Sequence, residues 1–140
     1  MKKTNGFTLI ELLISISIIA ILSVVLSVSF SSAQKNGRDQ RRIGDLKAIQ
    51  SAAEQYYLLS GNYPANKTTP WTANNQVILQ KFPSGPKGVN DTYSYVYLNN
   101  NYCACSNKME TEKYGNADQI NQASCDFQSA GLNHCVGNQQ

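Results

Sequence analysis

Glu11 is the residue whose setting most clearly suggests chemistry, because it is the one charged side chain in an apolar run from Phe7 to Phe30. As a helix, this run would span roughly 36 Å, which is enough to cross a hydrocarbon core of about 30 Å. A carboxylate inside such a span is costly in free energy, and charges kept there tend to be functional. Glu11 is therefore predicted to be a functional residue of a membrane-spanning segment.

All four cysteines follow residue 100, in a part of the chain that is predicted to be exported. Their even number predicts two disulfides. Cys103 and Cys105 lie two residues apart on a predicted strand, so each is expected to pair with either Cys125 or Cys135. A Cys125–Cys135 bond is the competing connectivity. Zinc binding by these cysteines with His134 is disfavoured, because Cys-x-Cys is an uncommon zinc spacing.

Catalytic patterns are absent from the sequence. It contains no Gly-x-Ser-x-Gly, no Walker A loop and no His-Glu-x-x-His, and His134 is its only histidine. We therefore expect no enzyme activity; an anchored enzyme using Cys–His catalysis is the alternative, and it would require a free thiol. The net charge of +3 includes Lys2 and Lys3. Without them it falls to about +1, which gives no global attraction for nucleic acid.

The first six residues are short and basic, and they precede the apolar run directly. Lys2 and Lys3 are expected to hold the N-terminus in the cytoplasm. An ordinary secretory signal would instead be cut after its apolar region, and Ala33 lies among small residues that could provide such a site. The junction of Gly6 with Phe7 favours a different cleavage, before the apolar run.

The segment Gly6-Phe7-Thr8-Leu9-Ile10-Glu11-Leu12 resembles the class III signal of type IV pilins and of type II secretion pseudopilins. The resemblance implies that a prepilin peptidase cuts between Gly6 and Phe7 and that the new Phe7 amine is N-methylated. It also implies that Glu11 neutralises the N-terminal amine of a neighbouring subunit and so sets axial register, since two buried charges cost less paired than alone. The alternative is a plain anchor helix that tolerates Glu11.

The chain departs from the family in lacking a helix-breaking proline at Val28 and a glycine at Ala20. Serines occupy this region instead, and serine hydroxyls can bond to helix carbonyls. A helix-period apolar stripe continues through Ile43, Leu46 and Ile49. The pattern predicts one helix over about 7–59, ending near Gly61.

Four cations, Lys35, Arg38, Arg41 and Arg42, cluster just after the apolar run. They are interpreted as a solvated collar or as partners in inter-subunit ion pairs, with Asp39 and Asp45 in helical reach of Arg42 and Arg41. The sequence from Arg38 to Pro64 also resembles pilin-like proteins.

The predicted head begins at residue 63. Residues 64–91 are interpreted as a long connection with one helical turn, and Trp71 is expected to pack over the head. Residues 92–98 and 102–109 are predicted to form an antiparallel hairpin through an asparagine turn. Tyr93, Tyr95 and Tyr97 share one face of it, and we expect that face to pack on the helix.

A loop at 110–126 is rich in oxygen ligands. Major pseudopilins use a loop in this region for calcium, so the resemblance makes Glu110, Glu112 and Asp118 calcium candidates, although the spacing is not that of an EF-hand. No other cofactor is expected.

These elements, with a long N-terminal helix on a small antiparallel sheet and a disulfide-bonded C-terminal region, predict an α+β fold, and the resemblance implies that it is the pilin fold. The expected parts are a cleaved leader (1–6), a transmembrane assembly helix (7–34), an amphipathic helix (35–62) and a globular head (63–140).

The resemblance implies a structural subunit of a type IV pilus-like extracellular filament for adhesion, twitching or DNA uptake. A major pseudopilin of type II secretion is the alternative, and a minor tip adhesin or DNA-binding pilin is another. Expected partners are further copies of the chain, prepilin peptidase, an inner-membrane assembly platform and, before assembly, the membrane. The monomer is not expected to bind nucleic acid. The precursor is expected in the inner or cytoplasmic membrane, and the product in an extracellular filament or periplasmic pseudopilus.

Overall fold

The computed structural model describes residues 6–88, 90–106, 109–117 and 131–138, apart from the side chains of Val28 and Glu112. It contains a long helix α1, five strands and a 3₁₀ turn at Glu112–Tyr114. Helix α1 covers Leu9–Ser60. The strands are β1 (Trp71–Ala73), β2 (Gln76–Leu79), β3 (Tyr93–Leu98), β4 (Asn101–Ser106) and β5 (Cys135–Gly137). The α+β fold class is confirmed. The chain divides into two compact units between Gln34 and Lys35.

Helix α1 ends where the sequence predicts. Gly61 has a positive φ of 76°, a conformation that glycine adopts without a side-chain clash. Its N–H donates to the carbonyl of Tyr57 at 2.8 Å, as in a left-handed C-terminal cap. Gly37 and Gly44 lie inside the helix and do not interrupt it.

The predicted hairpin is strands β3 and β4, in antiparallel register from Tyr93↔Ser106 to Leu98↔Asn101. Asn99 and Asn100 join them with φ values of 48° and 60°, as a two-residue hairpin turn requires. Strand β5 pairs antiparallel with β4, which gives the sheet order β3-β4-β5. Strand β4 ends at Ser106 and not at residue 109, where it was predicted to end.

The prediction for residues 64–91 was wrong in one respect. The stretch has no helical turn among its described residues; it contains instead a second hairpin, β1 with β2. Asn74 and Asn75 form its turn with φ values of 48° and 60°. The Asn74 side chain donates to the carbonyl of Leu59, one of the last carbonyls of α1, at 3.1 Å.

The core lies between one face of α1 and the aromatic side chains of the head. Tyr93 is buried, and its hydroxyl donates to Asp45 of α1 at 2.6 Å, so the tyrosine face packs on the helix as expected. Trp71 is also buried, and its ring lies 5.3 Å from that of Tyr95. The buried apolar members of the cluster are Leu46, Ile49, Ala52, Ala53, Tyr63, Trp71, Tyr93, Tyr102 and Ala104.

Candidate functional site

The first turn of α1 is closed by Thr8 and Glu11. The N–H and hydroxyl of Thr8 donate to Oε2 of Glu11 at 2.9 and 2.7 Å, and the N–H of Glu11 donates to the Thr8 hydroxyl at 3.3 Å. These reciprocal bonds form a capping box, which satisfies backbone donors that the helix start would leave open. Sequence reasoning missed this role of Thr8, although Ser/Thr-x-x-Glu before an apolar run is its signal.

Gly6 and Phe7 precede the helix, and both are exposed. No atom lies within 4 Å of the position that a Cβ on Gly6 would take. The predicted cleavage junction therefore lies in non-helical, open backbone.

The apolar run carries large side chains that no described part of the chain covers. Those described between Phe7 and Phe30 are 52% to 82% exposed. Among the described residues, α1 is the one helix long and apolar enough to cross a membrane. Surfaces of this size require an apolar environment outside the chain.

Four serine hydroxyls in this run are satisfied without water. Ser15, Ser17, Ser23 and Ser27 each donate to the carbonyl four residues earlier, at 2.7 to 2.8 Å. A hydroxyl bonded in this way can enter an apolar environment without losing a partner, which an unpaired hydroxyl could not do cheaply.

Two of the four cations that follow the apolar run, Arg38 and Arg42, form ion pairs within the chain, so their interpretation as part of a solvated collar was wrong, whereas Lys35 and Arg41 are exposed. Arg42 is buried, and it bonds to Asp39, Asp91 and Glu110 at 2.8, 2.7 and 3.3 Å. Arg38 bonds to both carboxylate oxygens of Glu110 at 2.7 Å. The expected Asp39–Arg42 pair is confirmed, whereas Asp45 accepts a bond from Tyr93. We call Arg38, Asp39, Arg42, Asp91 and Glu110 the charge cluster.

Asp39 is fully buried at the centre of the charge cluster. Its carboxylate accepts the N–H groups of Glu110 and Thr111 at 2.9 and 2.8 Å, together with the Thr111 hydroxyl. Burial alone would raise the pKa of Asp39, but these bonds and Arg42 outweigh it and hold the pKa below its ordinary value.

Glu110, one of the calcium candidates, faces cations. The bonds from Arg38, assisted by Lys87 and Arg42, lower the pKa of Glu110 to about 2. Lys87 lies 3.3 Å from Oε1 of Glu110. The side chain of Glu112 and the whole of Asp118, the other two calcium candidates, lie outside the described residues.

The other carboxylates described in residues 35–138 accept hydrogen bonds from tyrosine hydroxyls. Glu54 accepts the hydroxyl of Tyr63 at 2.9 Å, and burial together with that bond raises the pKa of Tyr63 to about 12. Burial and the bond to Asp45 likewise raise the pKa of Tyr93. Within the described residues, every buried side-chain nitrogen and oxygen has a hydrogen-bond partner.

The described cysteines form disulfides. Cys105 is bonded to Cys135 directly across strands β4 and β5, so the pairing of Cys125 with Cys135 is excluded. Cys103 is also disulfide-bonded, and Cys125 lies outside the described residues. His134 contacts the carbonyl of Tyr114 through Nδ1 at 2.6 Å. Because Cys105 and Cys135 are joined, they are not zinc ligands.

Comparison with known proteins gives several matches. The prokaryotic N-terminal methylation motif matches residues 1–27. The type IV wide pilus major component PilA4 of Thermus thermophilus is 35% identical over 104 residues, which cover 74% of this chain and 72% of that protein. The type II secretion system core protein G of Escherichia coli is 27% identical over 110 residues, which cover 69% and 73%.

A fimbrial protein of Neisseria meningitidis serogroup B is 34% identical over 78 residues, which cover 56% of this chain. The match spans about half of that relative's own length, 46%. No solved structure matches the chain.

These matches and the exposed apolar helix define a class of α+β proteins with a prepilin N-terminus. The Thermus match covers more than two thirds of both chains. The chain therefore belongs to the type IV pilin family, which the sequence resemblance had indicated.

Proposed function

We propose that the chain is a structural subunit of a type IV pilus-like extracellular filament. The observation that carries the proposal is the apolar run from Phe7 to Phe30, whose large described side chains remain exposed around the helix. Before assembly the membrane would cover them, and in a filament the same run of neighbouring copies would cover them. Packing of these helices would then hold the filament together.

Processing precedes assembly in this proposal. Prepilin peptidase cuts between Gly6 and Phe7, and the new amine of Phe7 is methylated. Substitution of Gly6 by Val should leave an uncleaved precursor, because a β-branched side chain hinders an extended backbone in a protease groove. Mass spectrometry of the N-terminal peptide measures both events. A Gly6→Val protein that starts at a methylated Phe7 would show that cleavage does not require Gly6, and a wild-type protein that starts at any other residue would reject this cleavage site.

Glu11 sets the register between subunits by accepting the amine of a neighbouring Phe7. Its Oε2 already accepts two bonds from Thr8, and a carboxylate retains further acceptor positions for an amine. Glu11→Ala should therefore insert into the membrane normally and yield few or no filaments. Ser15→Ala is the matched control, because Ser15 bonds only to its own helix. Filaments at the wild-type level from Glu11→Ala would contradict the register role.

The inner-membrane assembly platform is the further partner that this route requires. The membrane-bound precursor and the surface filament are then two stages of one protein. Cryo-electron microscopy of surface fibres, with the subunit identified from its side-chain density, is the direct test of the proposal.

A pseudopilin of type II secretion is the second candidate, favoured by the match with core protein G over 73% of that protein. Deletion of the gene separates the two candidates: a pilin is required for surface fibres, and a pseudopilin for release of secreted proteins. A minor tip adhesin or DNA-binding pilin would be rare in purified fibres, so the abundance of the subunit distinguishes it from a major one.

A further inference from the structure

Two asparagines of the chain are followed, after one intervening residue other than proline, by a threonine. They begin the segments Asn66-Lys67-Thr68 and Asn90-Asp91-Thr92, which both follow the apolar run. This pattern is the acceptor sequence for N-glycosylation in exported proteins. Because the two segments share the same functional groups, their structural settings decide which of them a glycosylating enzyme can use.

The first segment presents its reactive groups at the surface. Residues 65–68 are all exposed. Oδ1 of Asn66 accepts the N–H of Thr68 at 2.8 Å, which forms an Asx turn and brings the asparagine side chain close to the third residue of the segment. Within the part of the chain that the structure describes, Nδ2 of Asn66 and the hydroxyl of Thr68 have no partner. Both groups are therefore open to an enzyme.

The backbone on either side of this turn is fixed by the head. The indole N–H of Trp71, a residue that is 3% exposed, donates to the carbonyl of Asn66 at 3.0 Å. The hydroxyl oxygen of Thr69 accepts the N–H of Phe82 at 3.3 Å. Neither bond uses the side chain of Asn66 or of Thr68. The segment is thus an ordered surface turn whose acceptor groups remain free.

The second segment is tied into the charge cluster through its middle residue. The Asp91 carboxylate accepts bonds from Nη2 of Arg42 at 2.7 Å and from the N–H of Lys87 at 3.2 Å. The N–H of Asp91 donates to the carbonyl of Gly88 at 2.9 Å, and the carbonyl of Asp91 accepts the N–H of Gly85 at 2.7 Å. Drawing this segment into the groove of an enzyme would break these bonds and remove a carboxylate from the buried Arg42, which is costly.

We propose that Asn66 is an N-glycosylation site and that Asn90 is not. The donor is a lipid-linked oligosaccharide, and the enzyme is an oligosaccharyltransferase on the exported side of the membrane. Nδ2 of Asn66 forms a bond to the anomeric carbon of the first sugar. The bond from that carbon to a phosphate oxygen of the lipid carrier breaks, the lipid phosphate leaves, and Nδ2 gives one proton to a base of the enzyme. The reaction rests on export of the head, which the proposed function includes.

Peptide mass spectrometry of the processed protein, purified from its own cells, tests this site. The peptide that contains Asn66 should carry additional mass that fragmentation releases as sugar residues. The peptide that contains Asn90 should have its unmodified mass. Asn66→Gln should lose the additional mass of the intact protein, whereas Asn90→Gln should retain it.

Two substitutions of Thr68 separate the glycosylation reaction from effects on the fold. Thr68→Ser keeps the hydroxyl that the acceptor sequence requires, and Thr68→Ala removes it. Both variants keep the backbone N–H that forms the Asx turn, and the native side chain is exposed, so the fluorescence of the buried Trp71 should stay native in both. The glycan should be retained in Thr68→Ser and lost in Thr68→Ala.

Three results would overturn the proposal: an unmodified Asn66 in the wild-type protein, a glycan on Asn90, or a glycan that persists in Thr68→Ala. The N-terminal peptide of the same sample distinguishes these results from failure of the proposed function. A chain that starts at a methylated Phe7 and has an unmodified Asn66 rejects the glycan alone, because its processing as a filament subunit is intact.

Discussion

In residues 35–138, the buried polar side chains that the structure describes are bonded within the chain, whereas in residues 7–30 the described large apolar side chains stay exposed. Leu46 and Leu12 make the contrast concrete. Leu46 is 0% exposed in the core, and Leu12 is 55% exposed on the same helix. Leucine therefore stabilises the fold in one region and is available for association with other molecules in the other region.

The difference separates a region whose buried groups find their partners within the chain from a region whose apolar surface needs a partner outside it. The head and residues 35–60 of α1, on which it packs, form one unit whose described buried charges are paired within the chain, so these charges need no partner from outside it. An apolar helix exposed on its surface cannot remain in water, so its partner must come from outside the chain. Substitutions in the head should therefore change the free energy of unfolding, and those in the apolar run should change assembly.

The largest expected effect lies in the charge cluster. Arg42→Ala leaves Asp39, Asp91 and Glu110 without their shared cation, and breaking a buried pair in this way costs about 3–5 kcal/mol. Urea unfolding of the full chain in detergent, followed by Trp71 fluorescence, measures the loss. Arg41→Ala is the control, because Arg41 is exposed, and it should change the free energy by less than about 0.5 kcal/mol. Similar losses in both variants would mean that the cluster contributes no more than an exposed charge.

The contrast between the two leucines is the next test. Leu46→Ala should lower the free energy of unfolding of the head by about 2–5 kcal/mol, because it removes buried surface and leaves a cavity. Leu12→Ala should leave that value unchanged and lower the yield of filaments. The same urea titration and the amount of sheared fibres measure the two effects. A lower free energy of unfolding of the head in Leu12→Ala would contradict the contrast between the two regions.

Periodicity and motifs predicted much of this molecule. The end of α1 at Gly61, the hairpin at Asn99–Asn100 and the family followed from local patterns, because caps, turns and signal junctions depend on a few adjacent residues. The β1–β2 hairpin could have been found from Asn74-Asn75 between two short apolar stretches. Its strands of three and four residues gave too little alternation to identify it.

The charge cluster could not be predicted in the same way. Arg38 and Arg42 meet Glu110 across 72 and 68 residues of chain, and no local pattern encodes such a contact. A run of cations after an apolar segment is usually solvated, so the sequence favoured a collar. Burial reversed that interpretation, because a buried guanidinium must find carboxylates wherever the fold places them.

A smaller effect should come from the loop that presents Asp91 to Arg42. A Cβ on Gly85 would lie 2.3 Å from Cγ of Asp91, a side chain that Arg42 holds in place. Gly85→Ala should therefore lower the free energy of unfolding by about 1–3 kcal/mol, because either the backbone at residue 85 or the side chain of Asp91 must move. Gly37→Ala is the matched control, since open space surrounds that position and alanine favours a helix interior by about 0.5–1 kcal/mol. Thermal unfolding should shift in opposite directions for the two variants, and shifts in the same direction would contradict this account.

The smallest expected effect is a dependence on acid pH that belongs to the head alone. The pKa of Glu110 falls from an ordinary 4.5 to about 2 on folding, mainly through its bonds with Arg38. The stabilisation is therefore fully present above pH 4.5, and it is lost as the pH falls towards 2. Urea titrations at several pH values should show a shallower acid decline for Glu110→Gln than for the wild type. Arg38→Met should move the wild-type curve towards that of Glu110→Gln, because it removes the main cause of the shift. If Arg38→Met leaves the acid decline unchanged, Arg38 is not the residue that lowers the pKa of Glu110.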